Sequence, residues 1–203
     1  MGNSTAYGQI VILNGAPRSG KSSIVRAIQE TFDGLWMNVG VDVARTMTPP
    51  RAQPGIGLRP GEATHVAAPY VPLLYAALYE SVAAQSKLGL NVVVDVGHHE
   101  VEILADSARR LAGLPVLFVG VHCPIEVVME RRRNSDPGSY ATAEVDEPVP
   151  PPVLRWQSAV HGAWAYDLDV DTSVQSPEEC AATIAQRLAA TQPAEAFERL
   201  AKR

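Results

Sequence analysis

The stretch Gly15-Ala-Pro-Arg-Ser-Gly20-Lys21-Ser22 constrains this chain more than any other. It reads G-x-x-x-x-G-K-S, a loop whose glycines let the backbone curl until its N–H groups face an anion. The flanks matter as much as the pattern. Ile10-Val11-Ile12-Leu13 leads in as a buried strand would. Residues 22–31 lead out with Ile24, Val25 and Ile28 on one helical face. Strand, glycine loop and helix start bring the positive end of a helix to the same anion. The expected nucleotide-binding segment is therefore Gly15, Ala16, Pro17, Arg18, Ser19, Gly20, Lys21, Ser22 and Ser23. Lys21 would reach the β- and γ-phosphates, and the Ser22 hydroxyl would ligate Mg²⁺. A plain glycine turn between strand and helix is the alternative.

Composition bounds the rest. With 203 residues, 46% of them hydrophobic, the chain can bury one good core, so a single domain over 1–203 is expected. A net charge of −5 argues against nucleic acid or an anionic membrane as the main partner. Cys123 and Cys180 lie far apart without metal-like spacing and read as packed, reduced thiols. No apolar run nears the roughly 18 residues of a membrane span, and no opening segment joins a basic region to an apolar run. A soluble cytoplasmic protein is the expectation. Oligomeric state stays open, a homo-oligomer included.

Short apolar runs alternate with helical patterns, as in a parallel sheet with helices on both faces. Strands are expected at 9–14, 35–41, 91–96, 115–121 and 166–170, and helices at 21–32, 70–88, 100–112, 124–133, 153–163 and 177–190. Pro177 with Glu178-Glu179 suits a helix start. Two proline- and glycine-rich segments, 48–64 and 134–152, exceed ordinary connections; the second is the expected lid. The tail at 192–203 reads as a short extra helix.

Several side chains could carry chemistry. Asp95 ends the run Val92-Val93-Val94, at the carboxyl edge of a parallel sheet where ligands bind; it would order Mg²⁺ or cap the next helix. Asp42, in Gly40-Val41-Asp42, would lie on the same edge. Kinases for small alcohols need a carboxylate within reach of the acceptor hydroxyl. An N-cap for a helix at 43–47 is the rival reading of Asp42. Arg131-Arg132-Arg133 closes a helix just before the lid. Adjacent helical residues cannot all face one way, so Arg131 or Arg133 is expected to steady the phosphoryl group. His98-His99-Glu100 has no third ligand spaced for a metal, and His98 is placed in a loop lining the acceptor pocket beside Asp42 and Asp95. Trp156, His161 and Trp164 read as packing.

Taken together, these segments resemble the chloramphenicol phosphotransferase-like family of phosphate-loop (P-loop) kinases. The matching pieces are Ile12-Leu13-Asn14-Gly15 into Ser19-Gly20-Lys21-Ser22, then Gly40-Val41-Asp42, Val93-Val94-Asp95, Val119-Gly120-Val121-His122-Cys123, the arginine cluster and Tyr166 to Ser173. The resemblance spans about residues 9 to 190. It implies a P-loop NTPase/kinase fold with a five-stranded parallel sheet and a lid. It also implies transfer of the γ-phosphate of ATP or GTP to a small-molecule hydroxyl, often on an antibiotic. Asp42 looks like the family's catalytic base, and the Tyr166–Ser173 stretch would lie beside the nucleotide base. Two features depart from the pattern. Asn134-Ser135-Asp136-Pro137 stands where relatives carry a further lid arginine before Gly-Asp, and the acceptor region at about 43–99 shows no clear match to the chloramphenicol enzyme.

Two other functions are compatible with the loop. A primary-metabolic kinase for an acidic acceptor should want a basic cluster, and 46–99 offers only Arg51, Arg59 and Lys87. A nucleotide-dependent switch would bind and slowly hydrolyse nucleotide without an acceptor; Asp42 is the feature against it.

Overall fold

A computed structural model describes residues 6–53, 67–134, 149–162 and 164–203. Most of the expected lid, and residues 54–66 of the acceptor region, lie outside that set. In chain order the elements are β1 (Ile10–Asn14), α1 (Lys21–Thr31), β2 (Trp36–Asn38), α2 (Val41–Thr46), α3 (Val71–Lys87), β3 (Asn91–Val96) and α4 (Val101–Arg110). There follow β4 (Val116–His122), α5 (Ile125–Arg133), α6 (Pro151–Ala159), β5 (Leu168–Asp171), α7 (Pro177–Ala189) and α8 (Ala196–Ala201).

The five strands form one parallel sheet in the order β2-β3-β1-β4-β5. β1 is central and every residue in it is buried, which is why it reads as a continuous apolar run. Its register sets Ile10 against both Val92 and Val116, and Asn14 against Val96 and Gly120. Alternate side chains divide between two cores. Ile10, Ile12, Val92, Val94 and Phe118 pack with Leu78, Tyr79 and Val82 of α3, Leu104 of α4 and Phe197 of α8. Val11, Leu13, Val93, Leu117 and Val119 pack with Ile24, Val25 and Ile28 of α1 and Cys180 and Ile184 of α7. Helices thus cover both faces, and the carboxyl ends of the strands meet at one edge.

Three details differ from or refine the sequence reading. β2 stops at Asn38 rather than 41, because the Asn38 side chain accepts a hydrogen bond from Gly40 N at 3.2 Å and the chain turns into α2. The α7 start gains a capping box: Ser176 Oγ accepts from Glu179 N, and the Glu179 carboxylate accepts from Ser176 N. The tail does form a short helix, and it belongs to the core. Asp167 Oδ1 accepts from Glu195 N at 2.8 Å and Ala196 N at 2.9 Å, seating Phe197 and Leu200 of α8. Both cysteines are free and buried. Among the described residues no helix is long and apolar enough to cross a membrane.

Candidate active site

The glycine loop joins β1 to α1 at the carboxyl edge. A side chain at Gly15 would meet Val121 O at 2.5 Å, so only glycine lets the loop leave the sheet here. Arg18 (φ 71°) and Gly20 (φ 94°) both take the left-handed conformation, which costs a non-glycine residue about 1–3 kcal/mol and is concentrated at ligand sites. Gly20 is the N-cap of α1 and offers no side-chain cap. Gly20 O accepts from Ser23 N at 3.1 Å and Ile24 N at 3.2 Å, and the amides of Lys21 and Ser22 ahead of them receive no capping side chain. Lys21 folds back over the loop, donating from Nζ to Ala16 O at 2.9 Å, and stands 3.6 Å from Asp95 Oδ1. Ser22 Oγ donates to Asp95 Oδ2 at 2.6 Å. Ala16 and Ser19 are buried within the loop, and Ser19 Oγ has no hydrogen-bond partner among the described residues.

A cavity of about 1100 Å³ opens over this loop. Pro17, Arg18, Gly20, Lys21, Ser22 and Ser23 line one part of it, with Arg131, Thr172, Gln175 and Pro177. Asp42 and Asp95 stand on the same wall system, and beyond them lie Arg45, Thr48, Leu74, Tyr75 and Trp156. Asp42 belongs to the first turn of α2, whose N-cap is Gly40, so the capping alternative does not hold. Its carboxylate is exposed and lies 3.6 Å from Arg45 Nε. Gly40 sets this arrangement: a Cβ there would fall 3.1 Å from Asp95 Cβ, so a glycine brings α2 down beside the end of β3.

The three arginines separate as helix geometry requires. Arg131 faces the cavity. Its guanidinium donates to Thr172 O at 2.6 Å, Thr172 Oγ1 at 3.0 Å and Arg18 O at 3.3 Å. Thr172 Oγ1 in turn donates to Ser19 O at 2.6 Å, so α5, the end of β5 and the glycine loop are tied together. Arg132 is buried, while Arg133 is exposed and does not line the cavity.

His98 is the residue whose expected place needs correction. It is buried behind the cavity wall, where its Nε2 pairs with Tyr79 OH at 2.7 Å and its ring lies 4.9 Å from that of Tyr75. Its backbone N–H reaches Asn14 Oδ1 at 2.6 Å. Burial first, and His99 second, lower its pKa to about 3, so it stands neutral. It shapes Tyr75 rather than the acceptor. Trp156, read from sequence as packing, lines the cavity with its ring 4.5 Å from His99. Tyr75, which nothing in the sequence singled out, also lines the cavity. Helical spacing tells which residues share a face, and neither aromatic carried a signal that its face lined a cavity. The buried Asn14 was a better clue. It donates to Val160 O and Tyr166 OH, both at 2.9 Å, and so ties the chain after α6 to the end of β1. A buried amide just ahead of a glycine loop must be fully paired.

The sequence pattern described as chloramphenicol phosphotransferase-like protein matches residues 8–189. The chain belongs to the chloramphenicol phosphotransferase-like family. Among its relatives is a protein of Mycobacterium tuberculosis H37Rv named as a candidate O-phosphotransferase. The two are 26% identical over 97% of this chain and 89% of the relative. The fold is that of P-loop kinases. The adenosine-phosphosulfate (APS) kinase CysC of M. tuberculosis, solved with AMPPNP and APS, superposes with a TM-score of 0.64 at 20% identity, covering 91% of this chain and 99% of that one. A sugar kinase from Janibacter superposes with a TM-score of 0.60 at 19% identity, over 89% and 94% of the two chains. A tunicamycin resistance protein of Deinococcus radiodurans gives 0.58 at 16% identity, over 91% and 97%. This family member is thus a kinase-fold phosphotransferase by both sequence and architecture.

Proposed function

We propose that the protein transfers the γ-phosphate of ATP or GTP to a hydroxyl of a small molecule, an antibiotic or related natural product, in the cytoplasm. The observation that carries this reading is one cavity holding Lys21, Ser22, Asp95, Asp42 and Arg131 together. The loop amides and Lys21 would hold the β- and γ-phosphates. Ser19 Oγ, buried without a hydrogen-bond partner among the described residues, would be a further donor for them. Ser22 and Asp95 are hard oxygen donors already in contact, and they fit Mg²⁺, with Asp95 acting directly or through water. When bound, that ion would neutralise charge on the phosphates.

Asp42 would accept the hydroxyl proton as the oxygen attacks the γ-phosphorus and the bond to the β-phosphate oxygen breaks. Its exposure to the cavity leaves it accessible to an acceptor. Arg131 would steady the charge spread over the transferring group, its guanidinium fixed by Thr172. Arg133, exposed and off the cavity, is not retained in this role. The test is a mass-spectrometric screen of hydroxylated compounds for a gain of about 80 daltons, the mass of one phosphoryl group. Lys21→Ala should abolish the gain. Nucleotide hydrolysis with no phosphorylated product from any acceptor would instead leave a nucleotide-dependent switch.

A further inference from the structure

The cations that line the cavity, among the described residues, are Arg18, Lys21, Arg45 and Arg131. Arg18 and Lys21 belong to the glycine loop, and Arg131 is tied to it through Thr172 and Arg18 O. Arg45 stands apart from them, on α2 in the acceptor half, where Val41, Ala44, Leu74, Tyr75 and Trp156 also line the cavity. It lies one residue ahead of 46–99, the stretch poor in basic residues.

Arg45 is held in place, yet one of its donors is unused. Its Nε is buried without a hydrogen-bond partner among the described residues. Asp42 Oδ1 stands 3.6 Å away, close enough for an ion pair and too far for a hydrogen bond. The two residues are three apart and share a face of α2. Gln53 fixes the end of that helix, donating from Nε2 to Arg45 O at 3.3 Å and to Thr48 O at 3.2 Å. The remaining 32% of the Arg45 side chain is exposed, so a ligand in the cavity can reach it. A buried N–H without an acceptor is costly, and a charged donor gains most from an anionic oxygen. The apolar side chains around it strengthen such a contact.

We infer that Arg45 is the specificity-determining residue of the acceptor half, taking a carboxylate of the acceptor on its guanidinium while a hydroxyl of the same molecule reaches Asp42. This rests on the phosphotransfer reading and narrows its acceptor to a hydroxy acid. The spacing sets which kind. Arg45 Nε and Asp42 Oδ1 are 3.6 Å apart, so the two groups they receive belong one or two carbons apart, as in an α- or β-hydroxy acid. The Asp42–Arg45 pair is solvent-exposed at its carboxylate and lacks a hydrogen bond, so it yields at little cost. The incoming carboxylate then lies on the guanidinium, and Asp42 is left to the hydroxyl.

The test measures binding separately from turnover. The full chain is first saturated with magnesium and AMPPNP, which fills the phosphate loop. Glycerate and glycerol, which differ by the carboxylate, are then titrated by calorimetry. Glycerate should bind about tenfold tighter or more, the size of one charge-assisted hydrogen bond. Arg45→Gln should bring glycerate to the level of glycerol and keep nucleotide affinity, with circular dichroism confirming the fold. Arg45→Lys, which restores the charge without the Nε donor, should recover part of the preference. Glycerol binding as tightly as glycerate would overturn the inference. So would absence of glycerate binding, or an Arg45→Gln protein that keeps the native preference. A preference lost in Arg45→Gln, with no phosphorylated product from ATP and any hydroxy acid, would keep the Arg45 site and remove the proposed reaction. Transfer to neutral alcohols alone, at the native rate in Arg45→Gln, would keep the reaction and remove the inference.

Discussion

At the scale of single residues, the site is held by hydrogen bonds to main-chain carbonyls. Arg131 is the clearest case, since its guanidinium spans Thr172 and Arg18 O. A lysine cannot reproduce that fork. Arg131→Lys should therefore lower kcat by about a hundredfold or more, below the full value of a transition-state arginine, while raising nucleotide KM much less. Steady-state kinetics that put the whole loss in nucleotide KM would show Arg131 to be a binding residue only. His98 marks a different kind of residue. Its position in the sequence places it correctly at the carboxyl edge, but which way its side chain turns depends on a partner nineteen residues away, Tyr79. Local sequence holds no trace of that pairing.

At the scale of elements, glycines decide what the strands deliver. Gly40 brings α2 against β3, and Gly15 releases the loop from β1. Gly40→Ala should lower transfer activity by displacing Asp42 from Asp95. Circular dichroism should stay near native while kcat falls, and undiminished kcat would show that α2 tolerates the shift. Strands β1, β3 and β4 were legible because they are buried on both faces and leave continuous apolar runs. β2 was overestimated because Val39 and Val41 prolong the apolar pattern, whereas Asn38 ends the ladder through a side-chain bond. The places of the glycine loop, Asp42 and Asp95 at the sheet edge were legible because each follows a recognisable element end, whereas the sequence left Arg131 and Arg133 as alternatives. Tyr75 and Trp156 were not legible, because an aromatic on a helix looks the same whether it faces a core or a cavity.

At the scale of the whole molecule, the sheet gathers every proposed functional side chain at one edge and leaves the two cores to supply stability. Two histidines near that edge are neutral in the folded state. His98 is lowered to about 3 by burial, and His161 to about 4 by burial and then by His122, stacked on it at 4.0 Å. The unfolded chain protonates both near their ordinary value of about 6.5. Stability should therefore be full above that pH, fall as pH drops through 6.5 toward 4, and keep falling toward 3. Urea titrations across this range should show the slope, and His98→Gln should flatten its acid end. A native slope unchanged by His98→Gln would mean that the buried imidazole is not the cause. The account as a whole turns on Asp42. The most direct measurement is single-turnover transfer of labelled γ-phosphate to a small hydroxylated acceptor by the native chain and by Asp42→Ala. Loss of about a hundredfold to ten-thousandfold in rate with nucleotide affinity kept is the predicted result. Transfer by Asp42→Ala at the native rate would contradict it.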